Sequence, residues 1–265
     1  MPRFRIALIV VLSAGVFFPA VIGAPQTLAS SAGTPNPELV KDLVYANRIL
    51  YDQGVVDAFG HVSVRDDKDS NRFLLARSMA PALVSAADIL VFDVNGAAID
   101  ARGRALYLER FIHAAIYRVR QDVKAIVHSH SPAVIPFGVT RTILRPVYHV
   151  SAFLGAGAPV FEIRDSAGMT DMLISDNKRG DALAKSLADS AVVLMRGHGS
   201  VAVGNTIQQV VYRAIYTEVN GRLQAEAEKL GPINFLSPEE AAKAAAINDP
   251  GRPWELWKAR IGKVD

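Results

Sequence analysis

Residues 123–130 read Val-Lys-Ala-Ile-Val-His-Ser-His, an apolar run that ends in two histidines separated by one serine. The β-branched and apolar residues at positions 123–127 predict a buried strand. Because alternate residues of a strand point to the same face, His128 and His130 are expected to direct both imidazoles into one cavity. This stretch therefore predicts a buried strand whose C-terminal end contributes two histidines to a candidate metal site.

A third histidine follows a second apolar run, Ala-Val-Val-Leu at residues 191–194. Gly197 and Gly199 flank His198, and they let the backbone turn tightly and bring the ring close to another segment. Three neutral imidazoles without a thiolate suit Zn, Mn, Fe or Co and leave a position open for substrate. A His-x-His pair alone is weak evidence for a metal site, and the alternative is that the three histidines are unrelated. Histidines at two strand ends favour one divalent metal per subunit, with zinc as the first expectation.

Glu109 is the candidate acid and base. It lies near the start of a predicted helix over residues 107–120, whose C-terminal end leads into the histidine-bearing strand. We predict a general acid/base beside the metal, with its pKa raised by burial. The alternative is a capping charge that the helix dipole favours. His113, one turn further on, either orients this carboxylate or is a core histidine, and the second interpretation is favoured.

Predicted strands and helices alternate from residue 37 onward. Asn36-Pro37 predicts a helix start, since Asn caps well and Pro fits the first helical position. The further predicted elements are strands at 61–65, 72–77, 89–94 and 191–196, and helices at 181–188, 206–230 and from 237 onward. Their mixture predicts a single α/β fold over residues 37–265: one layered α/β/α domain with a central mixed or antiparallel sheet and a C-terminal helical tail.

The composition narrows the function classes. The chain has 265 residues, is 50% hydrophobic and carries a formal net charge of +3, which is ordinary for a globular enzyme with one substantial core. No basic run is interleaved with aromatic residues, so nucleic-acid binding is not supported. The absence of cysteine excludes disulfides, thiolate zinc sites and a thiol nucleophile. We therefore expect a small-molecule substrate.

Residues 1–24 have the pattern of a secretory signal peptide. Arg3 and Arg5 precede an almost wholly apolar stretch over residues 6–22, and small residues follow it. Residues 25–36, rich in Ser, Ala, Pro and Gly, are predicted to be a linker. Export to a periplasm, without stable membrane insertion once the signal is removed, is the expectation. An uncleaved N-terminal membrane anchor is the alternative.

Four separated motifs, in this order, resemble the class II aldolase/adducin family. They are Gly60-His61-Val62-Ser63-Val64-Arg65, Glu109, His128-Ser129-His130, and Gly197-His198-Gly199 with Val201-Ala202-Val203-Gly204. The resemblance covers roughly residues 37–230 and implies a fuculose-phosphate aldolase-like fold. It implies that His128, His130 and His198 bind the metal and that Glu109 is the catalytic glutamate. It also implies a fourfold-symmetric homotetramer with sites between subunits.

Departures from the family's sugar-phosphate enzymes change the expected substrate. His61 replaces the family's asparagine, Arg77-Ser78 stands near its Thr-Gly turn, and Tyr107-Leu108 replaces a Ser-Ser pair. A leucine and a tyrosine cannot reproduce two hydroxyl donors to a phosphate dianion. Arg77 can bind a carboxylate bidentately, although an exposed strand charge is the alternative. We predict that His61, Arg77, Ser78 and Tyr107 bind an unphosphorylated carboxylate.

Two further segments, residues 77–81 and 145–149, resemble the family's metal-dependent decarboxylases of hydroxy-aromatic carboxylates. Tyr148 is predicted to stack on a substrate ring at the catalytic site. His149 is predicted to act there as an acid or hydrogen-bond donor, and a purely structural role is the alternative.

The expected reaction is metal-dependent cleavage of a carbon–carbon bond next to a carbonyl, in the first place decarboxylation of a hydroxy or keto carboxylate. Aldol cleavage of an unphosphorylated hydroxy acid or a sugar phosphate is the alternative lyase reaction. An Fe(II) oxygenase would share the same ligands. A non-catalytic, adducin-like binding module would lack the histidines that this chain keeps.

Overall fold

In the computed structural model, which describes Met1 and residues 33–264, the two histidine-bearing runs lie side by side in one seven-stranded sheet. The strands are β1 (His61–Arg65), β2 (Arg72–Ala76), β3 (Ile89–Asp93), β4 (Ala125–Ser129), β5 (Val160–Phe161), β6 (Val192–Met195) and β7 (Gly199–Gly204). Their order is β3-β2-β1-β4-β7-β6-β5. Neighbours are antiparallel except β5 and β6, which are parallel, so the predicted mixed sheet is confirmed.

Helices flank this sheet. They are α1 (Pro37–Asp52), α2 (Arg110–Val119), α3 (Ile135–Val139), α4 (Arg164–Ala167), α5 (Asn177–Leu187), α6 (Ile207–Leu230), α7 (Pro238–Ala246) and α8 (Gly251–Ile261), with short 3-10 turns at Pro81–Leu83, Ala86–Asp88 and His149–Leu154. The predicted caps are present: the Asn36 side chain accepts from the backbone of Glu38, and Ser237 forms a capping box with Glu240.

The middle of the sheet is buried on both faces, since every residue of β1, β2, β4, β6 and β7 is buried. Such strands normally carry apolar side chains. Strand β1 instead carries His61, Ser63 and Arg65 at alternate positions. His61 is paired directly with His128 of β4, so both side chains project from the same face. The central strands therefore support a buried polar layer.

The third histidine lies in the tight turn between β6 and β7. Gly197 has a φ of +62°, and the backbone N–H of His198 donates to the Met195 carbonyl at 3.0 Å. Strand β7 was not among the predicted strands, because glycines at both of its ends weaken strand propensity. Pairing with β4 and β6 overrides that propensity.

Helix α2 begins at Arg110, three residues later than predicted. Glu109 occupies the N-cap position, but its side chain makes no capping hydrogen bond. Its Oε1 instead accepts from the backbone N–H of Ile174 at 2.9 Å. The alternative interpretation of Glu109 as a helix-capping charge is therefore not supported.

The span Thr34–Asp265 forms one compact unit. The predicted signal peptide at 1–24 and most of the predicted linker at 25–36 lie outside the described residues. Within the part of the chain that the structure describes, no helix combines the length and apolarity that crossing a bilayer requires.

Candidate metal and active site

Four side chains converge at the end of β4. Glu109, His128, His130 and His198 each place one possible ligand atom within 4.8 Å of all the others. The Nε2 atoms of His130 and His198 are 3.0 Å apart. Oε2 of Glu109 is 3.4 Å from Nε2 of His128 and 3.3 Å from Nε2 of His198. The predicted convergence of the histidines is confirmed, and Glu109 lies beside them.

Backbone carbonyls fix the orientation of two of these rings. Nδ1 of His128 lies 3.1 Å from the Ser200 carbonyl, and Nδ1 of His198 lies 3.1 Å from the Met172 carbonyl. A carbonyl can only accept, so each Nδ1 carries a proton, and in the neutral ring each Nε2 is left with a lone pair. Nε2 of His128 is fully buried and has no hydrogen-bond partner among the described residues. An orphaned buried nitrogen aimed at two more imidazoles and a carboxylate fits a divalent metal.

The protonation of the cluster also suits a metal. Burial, followed by the nearby His128 and His198, lowers the pKa of His130 to about 4, so this imidazole is neutral near pH 7. Burial alone would lower the pKa of His198, but its hydrogen bond to Glu109 and the charge of that carboxylate raise it. Metal binding requires the neutral ring, so uptake at His198 should release a proton at low pH.

The predicted rise in the pKa of Glu109 is wrong. Burial does raise the pKa of this carboxyl, but the nearby His128 and His198 outweigh burial and hold it well below its ordinary range. Glu109 is therefore ionised at neutral pH. A carboxylate in this state can accept a proton from a bound substrate.

A cavity of about 530 Å³ opens beside the cluster. His61, Ser78 and Tyr107 line it, as do Glu109 and His128. Much of the remaining wall is apolar and comprises Phe59, Met79, Leu106, Leu108 and Leu173. Such a wall suits the faces of a planar ring. Sequence reasoning missed Phe59, Leu106 and Leu173, because nothing in their local pattern distinguishes a cavity wall from a core.

Arg77 is not among the described residues that line this cavity. Its Nε donates to Asp88 at 2.7 Å, and its side chain is 37% exposed. The structure therefore gives no support to the predicted bidentate binding of a substrate carboxylate by Arg77. Tyr107 is placed as predicted on the wall, but its hydroxyl donates to the Met79 carbonyl, so its ring is the part available to a ligand.

Tyr148 and His149 are not brought to this cavity within the described chain. They lie at the start of the 3-10 turn His149–Leu154, and His149 is exposed. The Tyr148 hydroxyl is buried and has no hydrogen-bond partner in the part of the chain that the structure describes. Burial, followed by the neighbouring Tyr216 and Tyr212, raises its pKa. Their predicted catalytic roles stay predictions for this chain.

Glu218 of helix α6 supports the turn that follows His130. Its Oε2 accepts from the Ser131 hydroxyl and, at 3.0 Å, from the backbone N–H of Ala133. The carboxylate is 6% exposed, so both donors are bonded to a largely desolvated charge. Glu218 thus holds the main chain beside a candidate metal ligand.

Gly199 allows β4 and β7 to approach each other beside the cluster. A Cβ at this position would lie 2.1 Å from the Ser129 carbonyl oxygen. We expect Gly199→Ala to lower the free energy of unfolding by about 2–4 kcal/mol, because the backbone must shift. Urea unfolding would measure this, with Gly33→Ala as control, since no heavy atom lies within 4 Å of a Cβ there. Equal stability of the two variants would contradict the close approach.

Comparisons with known proteins find relatives of this chain. Residues 41–225 match the family described as Class II Aldolase and Adducin N-terminal domain. A relative named decarboxylase TropJ, from Talaromyces stipitatus, is 37% identical over 84% of this chain and 93% of its own length. A 3,4-dihydroxyphthalate decarboxylase from Arthrobacter keyseri is 27% identical over 84% of this chain and 92% of its own length.

A solved structure has the same fold. An L-fuculose 1-phosphate aldolase from Glaciozyma antarctica superimposes with a TM-score of 0.70 at 22% sequence identity. The match covers 88% of this chain and 96% of the aldolase. The two proteins therefore share a fold.

Proposed function

Since this chain belongs to the class II aldolase and adducin family and is a lyase, we propose that it removes a carboxylate, as CO2, from an unphosphorylated hydroxy-aromatic acid. The observation that carries the proposal is the convergence of Glu109 with His128, His130 and His198 beside a largely apolar cavity. Two relatives named as decarboxylases support it, and one of them is named for a dihydroxylated aromatic dicarboxylate.

We propose that His128, His130 and His198 hold one divalent ion. Three histidines with an open position are typical of catalytic zinc, and Mn, Fe or Co also bind imidazole. When bound there, the metal supplies Lewis-acid stabilisation of the negative charge that develops on substrate oxygen as the carbon–carbon bond breaks. The Ser200 and Met172 carbonyls keep two of the rings in the tautomer that this role needs.

Glu109 moves the proton in this proposal. The bond between the ring carbon and the carboxylate breaks, its electron pair stays with the ring, and CO2 leaves. The ionised Glu109 accepts the hydroxyl proton of the substrate and returns it to the ring carbon. One proton from water restores the hydroxyl, so the reaction consumes one proton for each CO2 released.

The cavity is better suited to an aromatic acid than to a sugar phosphate. By the family resemblance, Tyr107 and Leu108 stand at the position of a Ser-Ser pair in the sugar-phosphate enzymes, and the only hydroxyl of this pair already donates to the Met79 carbonyl. The rings of His61 and Tyr107 lie 4.6 Å apart and offer aromatic surface to a ligand. Stacking and apolar contact would therefore position a flat ring next to Glu109.

A substrate screen tests this proposal. Protein loaded separately with Zn, Mn, Fe(II) or Co would be incubated with 3,4-dihydroxyphthalate, with other hydroxy-aromatic carboxylates and with 2-keto-hydroxy acids. We expect CO2 from a hydroxy-aromatic acid with at least one metal, and no pyruvate from the keto acids. Oxygen uptake would be followed in parallel.

Other outcomes of the screen would replace the proposal. Pyruvate without CO2 would indicate aldol cleavage, and O2 consumption with Fe(II) would indicate an oxygenase. No turnover with any metal, in protein that holds no ion, would indicate an adducin-like binding module.

A further inference from the structure

A chain of four buried side chains runs from the cavity wall into the core. Nδ1 of His61 lies 2.7 Å from Nε2 of His113. Nδ1 of His113 lies 2.6 Å from the Ser63 hydroxyl, which lies 2.8 Å from the Tyr117 hydroxyl. We propose that this chain fixes the protons of His61 so that its Nε2–H donates to an oxygen of the substrate carboxylate. The class of substrate rests on the function proposed above.

Burial makes the hydrogen bonds of this chain obligatory. His61 is 4% exposed, and His113, Ser63 and Tyr117 are fully buried. Burial, followed by the nearby His128, lowers the pKa of His113 to about 3. Burial and then His113 hold the pKa of His61 well below its ordinary value. Nδ1 of His61 faces Nε2 of His113 at 2.7 Å, and a hydrogen bond between two ring nitrogens needs a proton on one of them and a lone pair on the other.

Tyr117, at the buried end of the hydrogen-bonded series, determines the direction in which the four side chains donate their protons. The Tyr117 hydroxyl has two candidate acceptors, the Ser63 hydroxyl at 2.8 Å and the Lys124 carbonyl at 3.5 Å. The second distance is too long for a good O–H···O bond, and that carbonyl already accepts from the Arg65 N–H at 2.7 Å. Tyr117 therefore donates to Ser63.

The remaining protons follow in order. The Ser63 hydroxyl is fully buried, and its partners in the described residues are the Tyr117 hydroxyl and Nδ1 of His113. Because Tyr117 donates to it, the acceptor left for the Ser63 proton is Nδ1 of His113. Nε2 of His113 then carries the proton and donates to Nδ1 of His61. This leaves the proton of His61 on Nε2. Nε2 makes no hydrogen bond to any described residue of the protein, and the His61 ring lines the cavity. A neutral N–H donor at this point suits a carboxylate oxygen.

The same chain keeps His61 from acting as the proton source. If His61 gave up its Nε2 proton, each member would have to draw a proton from the next, and the chain would end in a tyrosinate. Burial raises the pKa of Tyr117, so a charge there is strongly disfavoured. His61 is therefore a binding group, with His113, Ser63 and Tyr117 as positioning residues, and proton transfer stays with Glu109.

Neutron diffraction from deuterium-exchanged, zinc-loaded protein tests the direction without relying on turnover. We expect deuterium on Nε2 of both His61 and His113, and none on either Nδ1. Deuterium on Nδ1 of His61, or on both of its nitrogens, would overturn the inference. This result is independent of which reaction the protein catalyses.

A variant series tests the consequence for substrate. We expect Ser63→Ala to lower kcat/KM for 3,4-dihydroxyphthalate about 10–100-fold, the usual cost of losing an orienting partner, and Ser63→Thr to restore most of it. Thr217→Val is the control, since it removes another buried hydroxyl, which donates to the Arg213 carbonyl. Zinc content and melting temperature should match between Ser63→Ala and the control.

An equal loss in Ser63→Ala and Thr217→Val, or no rescue by threonine, would overturn the positioning role. If the unmodified protein releases no CO2, the proposed function fails, and the neutron result still decides the orientation of His61.

Discussion

Replacing Glu109 with glutamine is expected to lower kcat about 10²–10⁴-fold while the protein keeps its metal. The carboxylate lies 3.3–3.4 Å from two of the candidate ligands, and its charge is held ionised by them. Glutamine has nearly the same shape and can still accept the Ile174 N–H through its amide oxygen. It cannot take up and return a proton, so the chemical step should fail even though the site is assembled.

Steady-state kinetics on the substrate that the screen identifies would measure this loss, with metal content determined on the same samples. Glu226→Gln is the matched control, because Glu226 is exposed and pairs only with Lys229 among the described residues. Unchanged kcat in Glu109→Gln would remove Glu109 from the mechanism. Loss of the ion in that variant would instead make Glu109 a ligand.

Replacing His128 with alanine is expected to abolish stable metal retention. His128 is 1% exposed, and its Nε2 is the buried nitrogen without a partner in the described chain. Loss of an orienting partner typically costs 10–100-fold in metal affinity, and loss of the ligand itself should cost more. We expect less than a tenth of an ion per chain after dialysis against a weak chelator.

His149→Ala is the control for metal content, since His149 is an exposed histidine that the structure does not bring to the cluster. Elemental analysis of both variants, prepared side by side, gives the comparison. Retention of a full ion by His128→Ala would show that the metal is held elsewhere or by other groups.

The metal cluster could be predicted because it depends on local rules. A strand places residues two apart on one face, so His128 and His130 had to converge. Gly197 permits the turn that carries His198. Their shared location then follows from one sheet contact, the pairing of β4 with β7. Glu109 could be predicted from its place in the order of the family motifs.

The buried histidine chain could not be predicted, because it depends on tertiary register. His61 faces His128 only because β1 and β4 pair in one register. His113 reaches His61 only because helix α2 packs its buried face on this part of the sheet. Neither relation has a local sequence signal. His113 is buried, as predicted for a core histidine, but its contacts with His61 and Ser63 were not predicted.

The direction of the pKa shift of Glu109 and the ion-pair partner of Arg77 also could not be predicted from the sequence. Burial alone suggested a raised pKa for Glu109, whereas two imidazoles at 3.3–3.4 Å reverse the sign. Arginine is a residue type that commonly binds carboxylates, but Nε of Arg77 lies 2.7 Å from Oδ1 of Asp88 and forms an ion pair with it. Both outcomes depend on distances to residues remote in sequence.

X-ray absorption spectroscopy of protein purified without chelator, combined with elemental analysis, examines the histidine cluster itself. We predict one divalent ion per chain with three imidazole nitrogens in its first shell, at about 2.0–2.1 Å if the ion is zinc. Two results would contradict the assignment of His128, His130 and His198 as metal ligands. One is protein that binds no ion after incubation with Zn, Mn, Fe(II) or Co, and the other is a bound ion whose coordination shell lacks three imidazoles.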